Sequence, residues 1–300
     1  MKTIIALLVI IIIAIGGYAL YTTFHTPAPA TSSDEGSMAT TTEPAATTTM
    51  STEAQGPTVI GKSAGGHDIT AYHYGTGSME LLFVGGLHGG YDWNTSLVAY
   101  DFMNYLSQHP DAIPANESVT VIPVVNPDGL LKVVNKDGPF TASDVSSSAD
   151  TVAARFNANG VDLNRNFDCD WQPDAVWQST KVSGGTAAFS EPEAQAVRDY
   201  IAAHVPTAVV VYYSAAGGVY ASNCHSGVLP ATDTLTKTYA DASGYSAHES
   251  FDFYATTGDM TNWLAKQQIP AISVLLTNHT DPEWDKNWKG IQAVLKQYAQ

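Results

Sequence analysis

The stretch GGLHGGYDWNT, residues 85–95, decides the fold. It follows an apolar run, Leu81 to Val84, that has the composition of a buried strand. Glycines then permit a sharp turn, and the next apolar residues recur at helical spacing. His88 and Asp92 therefore lie where a strand passes into a helix, at the sheet edge where ligands of α/β proteins collect. An imidazole and a carboxylate there suit a zinc ion. Alternatively, His88 is a loop residue and Asp92 stabilises the first helical turn.

Composition limits the classes of function that are open to this chain. It has 300 residues, of which 44% are hydrophobic, and a formal net charge of −16. That is enough apolar material for one large core or two small ones. Because so acidic a surface repels phosphate backbones, we expect no nucleic-acid partner.

Three segments are predicted along the chain. Residues 1–21 contain an apolar run of about 17 residues, the lower limit for crossing a bilayer, and form a transmembrane anchor or a signal peptide. Residues 22–57, rich in Thr, Ala, Ser and Pro, form a disordered linker. Residues 58–300 form a single domain. Since positive charge precedes the apolar run, we expect this domain to lie outside the cytoplasm. It would contact the membrane through residues 1–21 alone, or be secreted if that segment is cleaved. We expect it to be a monomer.

The chain has two cysteines, Cys169 and Cys224. Outside the cytoplasm such a pair is a candidate disulfide. Two buried free thiols, or a soft metal site, are the alternatives.

Strands and helices alternate along residues 58–300. We predict strands at residues 69–74 (an edge strand), 81–84, 119–125, 208–213 and 272–276. We predict helices that end near residues 108, 204, 242, 267 and 298, the second of which begins with a capping box, SEPE, at 190–193. NPDG at 126–129 predicts a turn. This alternation indicates a mixed or mostly parallel sheet with helices on both faces.

One polar segment is a candidate for binding an anion. Arg155, Asn164 and Arg165 lie within about ten residues on a chain that has few basic residues. Arginine presents a planar fork that holds a carboxylate through two hydrogen bonds, and asparagine adds a neutral donor. Asp162 could orient a histidine from behind. Alternatively, the segment is a structural ion-pair network in which Arg165 pairs with Asp162 or Asp168.

Five motifs, taken in order, resemble the zinc metallocarboxypeptidase family, the carboxypeptidase A-like peptidases. They are GLHG at 86–89, NPDG at 126–129, GVDLNRN at 160–166, SEPE at 190–193, and Tyr254 followed by TGD at 257–259. The resemblance covers about residues 57–300. It implies one α/β domain with a mixed, mostly parallel eight-stranded sheet that has helices on both faces. It also implies one zinc ion, whose bound water attacks the last peptide bond of a chain, and peptide or protein C-termini as partners.

The resemblance implies roles on the substrate side of the site. Asn164 and Arg165 look like the clamp on the terminal carboxylate of a substrate. Arg155 looks like the arginine that stabilises the oxyanion. Tyr254 looks like the mobile tyrosine that caps the substrate.

On the metal side the chain departs from the family pattern. His88 looks like the first zinc ligand and Asp162 like the residue that orients it, but the carboxylate ligand is Asp92, one residue later than in the family's H-x-x-E motif. Tyr213 stands where the third ligand, a histidine, is expected, and a neutral phenol is a poor zinc ligand. Leu275 stands where the general-base glutamate is expected.

These departures leave two functions open. One is a zinc carboxypeptidase that removes C-terminal residues with a metal-activated water. The other is a catalytically inactive relative that binds peptide C-termini through the Arg/Asn clamp. His225, His279 and Glu249 lie in nearby loops and could supply the missing ligand or base.

Overall fold

The computed structural model describes residues 56–299. The predicted anchor or signal segment, and the predicted linker except for its last two residues, lie outside this range. Within it, no helix is both long and apolar enough to cross a bilayer.

An eight-stranded mixed sheet forms the centre of the domain, as the family resemblance implies. Along the sheet the order is β1-β2-β4-β3-β7-β10-β8-β9. The central pairs β4–β3, β3–β7 and β7–β10 are parallel, whereas β1–β2, β2–β4 and β10–β8 are antiparallel. Strands β5 and β6 form a separate hairpin. In chain order the ten strands are β1 (Thr58–Lys62), β2 (Asp68–Gly75), β3 (Met79–Val84), β4 (Glu117–Ile122), β5 (Asp174–Trp177), β6 (Thr180–Ser183), β7 (Ala208–Ser214), β8 (Gly218–Ala221), β9 (Ser246–His248) and β10 (Ala271–Leu276).

Helices cover both faces of the sheet. The α-helices of the described region are α1 (Trp93–Gln108), α2 (Pro127–Val134), α3 (Pro192–His204), α4 (Pro230–Ser243), α5 (Met260–Lys266) and α6 (Trp284–Tyr298). Helices α3 and α5 pack on one face of the sheet and α1, α4 and α6 on the other. Successive residues of β7 alternate between these two cores, with Val209 and Val211 in the first and Val210 in the second. A strand buried on both faces reads as an unbroken apolar run, as this one does.

Two local predictions were wrong. One concerned the edge of the sheet and the other the NPDG motif. Strand β2, predicted at the edge, lies between β1 and β4, because β1 adds to it from outside. NPDG does not form an isolated turn but begins α2. Asn126 is its N-cap and accepts a hydrogen bond from Gly129 N at 2.8 Å.

The capping box predicted for α3 is also absent. Glu191 is the N-cap and makes no side-chain cap bond. Ser190 Oγ donates to Glu191 Oε1 instead, and Glu193 Oε1 accepts from the backbone N–H of Ala64. Both carboxyl groups are buried, so contacts from elsewhere in the fold satisfy them.

Of the three alternatives for the cysteines, the structure shows the disulfide. Cys169 and Cys224 are bonded across 55 residues of sequence. The bond joins the loop after the NRN segment to the loop after β8.

Candidate functional site

A cavity of about 740 Å³ opens where β3, β7 and β10 end. His279 lines it, whereas the other two candidate substitutes, His225 and Glu249, do not. The predicted site residues that line it are His88, Arg155, Asn164, Arg165, Tyr213, Tyr254 and Leu275.

The turn after β3 holds His88 and Asp92 side by side. Their Nδ1 and Oδ2 atoms are 2.7 Å apart, and both side chains are buried. Gly86 has a φ of +61°, and a Cβ there would stand 2.6 Å from Ser96 Oγ, so only glycine fits the turn. Asp92 is the N-cap of α1 but makes no side-chain cap bond. Its carboxylate instead contacts His88 and the backbone N–H of Ser214, two residues that line the cavity.

Burial and charge set the protonation of this pair. Burial lowers the pKa of His88, and the positive charge of Arg155 lowers it further, so the imidazole is kept neutral. Burial alone would raise the pKa of Asp92, but the neighbouring His88 and the charge of Arg155 outweigh it and hold that pKa below its usual range. A neutral imidazole beside an ionised carboxylate is the state in which both can donate electron pairs to a cation.

Asp162 lies behind both the imidazole and one arginine. Its Oδ1 is 3.7 Å from His88 Nε2, and its Oδ2 accepts a 2.8 Å bond from Arg155 Nε. Burial would raise the pKa of Asp162, but Arg155 and Arg165 outweigh it, so the pKa is lowered. Asp162 thus lies between His88 and Arg155 and is hydrogen-bonded to Arg155 only, so its orienting role toward His88 stays a prediction.

The guanidinium of Arg155 faces the cavity from an aromatic cradle. Its central carbon is 4.5 Å from the centre of the Trp177 ring and 5.4 Å from that of Tyr91. Such stacking favours arginine over lysine. Among the described contacts, the hydrogen bond to Asp162 uses only Nε of Arg155. The two terminal nitrogens of the guanidinium therefore remain available to a ligand.

Arg165 presents an unused donor to the cavity. Its Nη1 donates to the backbone oxygen of Asn164 at 2.7 Å and its Nε to that of Val176 at 3.0 Å. Its Nη2 is buried and has no hydrogen-bond partner within residues 56–299. The structural ion-pair alternative was wrong, because Asp162 pairs with Arg155 and Asp168 with Lys266.

Asn164 is held firmly by its neighbours. Its Nδ2 donates to Asp259 Oδ2 at 2.8 Å, and its Oδ1 accepts from Met260 N at 3.0 Å and from the Tyr213 hydroxyl at 3.3 Å. One hydrogen of the amide is thus engaged, and the other remains for a ligand.

Tyr213 and Leu275 are neighbours on paired strands at the cavity floor. Burial raises the pKa of the Tyr213 phenol well above its ordinary value, and the charge of Asp259 raises it further. The phenol is therefore neutral, and its ring centre is 5.4 Å from that of His88. Leu275 has no atom that can accept a proton.

Two contributors were missed at the sequence level. Trp177, which stacks on Arg155, belongs to the β5–β6 hairpin, and its strand DAVW has no alternation of polar and apolar residues that could have indicated it. Asp259 was noted only as part of a motif. Its contact with Asn164 joins segments 95 residues apart and leaves no local signal.

A sequence profile described as zinc carboxypeptidase matches residues 47–282, which is most of the chain. The chain belongs to the zinc carboxypeptidase family. The resemblance drawn from the five motifs is thereby confirmed.

Two known proteins show what the domain is similar to. The γ-D-glutamyl-L-diamino acid endopeptidase 1 of Lysinibacillus sphaericus is 25% identical over 251 residues, which are 75% of this chain and 61% of that protein. Bacteriocin BCN5 of Clostridium perfringens is 31% identical over 146 residues, 48% of this chain and 15% of the bacteriocin. This zinc carboxypeptidase homologue therefore spans less than two thirds of either relative.

A solved structure agrees with the fold. Carboxypeptidase A from Helicoverpa armigera superposes with a TM-score of 0.63 at 18% identity, over 81% of this chain and 68% of that one. At this identity the likeness establishes the architecture alone, and the chemistry must be argued from the residues present.

The family name implies zinc, but the residues at the family's three ligand positions do not fit it well. His88 and Asp92 are suitable donors, whereas Tyr213 is a neutral phenol bonded to Asn164. Within residues 56–299, no three His, Cys, Asp or Glu side chains form a ready metal-holding group. A step through a zinc ion held by Tyr213 is therefore not supported.

Proposed function

We propose that this domain binds the free carboxyl end of a peptide and does not cleave it by the route of its family. One observation carries the proposal: Arg165 lines the cavity, and its Nη2 is buried and has no partner among the described residues. An unpaired buried donor costs roughly 1–3 kcal/mol. A carboxylate entering the cavity would satisfy it.

The surroundings of Arg165 support a carboxylate as the ligand. Arg155 and the free hydrogen of the Asn164 amide line the same cavity. Tyr254 lies over the guanidinium, with its ring centre 5.9 Å from the central carbon of Arg165. Two cations and an amide donor on an otherwise acidic chain select for an anionic group.

The same cavity lacks what the family's hydrolysis requires. Leu275 occupies the position of the general base, and loss of such a base costs roughly 10² to 10⁴ in rate. Tyr213 weakens the site that would activate water. The three residues proposed to hold the carboxylate, Arg155, Asn164 and Arg165, are all present, so binding survives where turnover does not.

Hydrolysis of C-terminal residues is the second candidate. It is favoured by two buried polar atoms that have no partner in the described region and lie 3.3 Å apart, Asp92 Oδ1 and His279 Nδ1. Unsatisfied atoms of this kind at one place are what a missing ligand or ion leaves.

We propose further that the domain works outside the cytoplasm. The disulfide Cys169–Cys224 is typical of oxidising compartments. The apolar run in residues 1–21 supports export.

Calorimetric titration with two forms of one peptide tests the binding proposal. In the presence of a chelator, the full-length protein should bind the form with a free carboxylate at least about tenfold more tightly than the amidated form, since charge-assisted hydrogen bonds contribute about 1.5–3 kcal/mol. Arg165→Ala should remove that preference. Hydrolysis is followed in parallel with a blocked dipeptide and added zinc.

Arg198→Ala is the matched control. Arg198 pairs with Asp199 on the surface and does not line the cavity. Equal affinity of the wild type for the free and amidated peptides would overturn the proposal. Chelator-sensitive turnover would establish the second candidate instead.

A further inference from the structure

Within residues 56–299, His88 and His279 are the two imidazoles that line the cavity. It lies in the loop after β10, three residues beyond the last strand residue, Leu276. Its Nδ1 is buried, although the side chain as a whole is 37% exposed. The atom is therefore directed inward, toward Asp92.

The contact between His279 and Asp92 is close but falls outside the geometry of a well-formed hydrogen bond. His279 Nδ1 and Asp92 Oδ1 are 3.3 Å apart, yet neither atom has a hydrogen-bond partner in residues 56–299. Asp92 is 1% exposed, so water does not reach the unpaired oxygen freely. Two electron-pair donors that lie close together in this way can both bind one cation placed between them.

The arrangement around Asp92 matches the needs of a cation. His88 Nδ1 lies 2.7 Å from one carboxylate oxygen and His279 Nδ1 lies 3.3 Å from the other. Ligand atoms on a tetrahedral zinc ion, with bonds of about 2.0–2.2 Å, are roughly 3.3 Å apart. Without an ion the imidazoles contact opposite oxygens of one carboxylate, so the three side chains do not yet form a closed group.

The supporting contacts hold both histidines in place. Asp162 Oδ1 lies 3.7 Å from His88 Nε2, on the side of the ring from which carboxylates orient metal-bound imidazoles, although the two atoms are not hydrogen-bonded in this structure. The His279 loop is fixed by Asn94, whose Nδ2 donates to the backbone oxygens of Asn278 at 2.7 Å and Asp281 at 3.0 Å. Ser214, next to Tyr213, donates to Asn94 Oδ1 at 2.8 Å.

We propose that His279 supplies the third donor of a divalent-cation site with His88 and Asp92, in place of Tyr213. In this site the third donor comes from the loop after β10 instead of the end of β7. Two imidazoles and one carboxylate suit zinc. The proposal concerns metal binding and stands apart from the proposed capture of peptides.

Zinc titration of the full-length protein, stripped of metal with a chelator, tests this site. After gel filtration the wild type should retain about one zinc per chain, and cobalt should give the visible absorption of a tetrahedral site. His279→Ala should lower zinc affinity at least about 100-fold, because loss even of outer partners of a metal ligand costs 10- to 100-fold. Tyr213→Phe should bind zinc as the wild type does.

His225→Ala is the control, since His225 is an exposed imidazole paired with Asp170 outside the cavity. It should bind zinc normally. Wild type that retains no zinc, or His279→Ala that binds it as tightly as wild type, would overturn the inference. If His279→Ala fails to fold, the melting temperature of wild type with and without zinc still decides, because an ion that binds the native state raises it. The peptide titration that tests the proposed function is carried out in chelator. Its outcome therefore does not depend on whether the protein binds zinc.

Discussion

Tyr213 is a single-residue change with two consequences. Its phenol is neutral and buried, and it cannot replace a histidine as a zinc donor. Its hydroxyl donates to Asn164 Oδ1, so the same side chain now supports the carboxylate clamp. Leu275, beside it on β10, stands where the family resemblance implies the base. Under the proposed function, the site therefore holds a peptide but lacks the family's means of cutting it.

Restoring both positions should therefore restore chemistry. We expect Tyr213→His combined with Leu275→Glu to hydrolyse a blocked dipeptide at least about 100-fold faster than wild type in the presence of zinc, because a general base contributes 10² to 10⁴ in rate. Turnover is followed by release of the terminal amino acid. Tyr213→His with Leu275→Gln, which matches the shape but accepts no proton, should show little of this gain. A folded, zinc-loaded double variant without any gain would show that the two positions are not the family's.

At the scale of elements, the clamp depends on a loop that passes behind it. Gly258 N donates to Cys169 O at 2.7 Å, and Phe167 N donates to Gly258 O at 3.0 Å. A Cβ at Gly258 would stand 2.3 Å from the backbone oxygen of Arg165, and its φ is +69°. The loop before α5 thus sets the position of the arginine backbone.

Gly258→Ala should displace Arg165 and weaken capture of free-carboxylate peptides by about tenfold or more, since the closest clash is with backbone and cannot relax cheaply. Titration calorimetry measures the loss. Gly138→Ala is the control, because Gly138 also has positive φ, +78°, but has open space around it. If both variants lost peptide affinity equally, the effect would come from backbone strain in general and not from the clamp.

The sequence predicted those strands and helices well whose apolar residues repeat over a short stretch of chain. It predicted the site only in part. The apolar runs at β3, β7 and β10, and the turn holding His88 and Asp92, were readable because the relevant residues are adjacent. The hydrogen bond between Asn164 and Asp259, and the approach of His279 to Asp92, join residues far apart in the chain. SEPE correctly predicted a helix that begins there and ends at His204, but not its cap, because Glu193 bonds to Ala64, a contact that only the folded chain creates.

Strand β4 carries a carboxyl group that makes stability depend on pH. Glu117 is fully buried, and neither of its oxygens has a hydrogen-bond partner within residues 56–299. Burial raises its pKa from 4.5 to about 7. The folded state therefore favours the protonated form, so its contribution to stability is complete below pH 4.5 and is lost as pH rises to about 7.

Glu117→Gln should remove this dependence. The free energy of unfolding of wild type should fall by up to about 3 kcal/mol between pH 4.5 and pH 8 through this residue, and the variant should lack that part of the fall. Urea unfolding at pH 5 and pH 8 measures it. Glu249→Gln, at an exposed carboxylate, should follow wild type. Parallel pH profiles for wild type and Glu117→Gln would show that the buried carboxyl has another partner.

At the scale of the whole molecule, the site exists only when the complete domain is folded. Its side chains come from positions 88 to 279. They lie in the turn after β3, the connection between α2 and β5, strands β7 and β10, and the loops before α5 and after β10. The disulfide Cys169–Cys224 reinforces this assembly, because it ties the loop after Arg165 to the end of β8 and closes a loop that contains α3 and β7. Global stability and clamp geometry are thus coupled through one covalent bond.

Replacing both cysteines by serine should lower the free energy of unfolding by about 4 kcal/mol, the chain-entropy value for a closed loop of about 55 residues. Urea unfolding measures the change, and reduced, alkylated wild type should match the variant. Because Cys169 O also accepts the bond from Gly258 N, the variant should bind free-carboxylate peptides more weakly even where it is fully folded. A variant that unfolds at lower urea yet binds such peptides like wild type would separate the two effects and confine the disulfide to stability. Unchanged unfolding in both variant and reduced protein would mean that the native contacts around the two loops already hold them together without the bond.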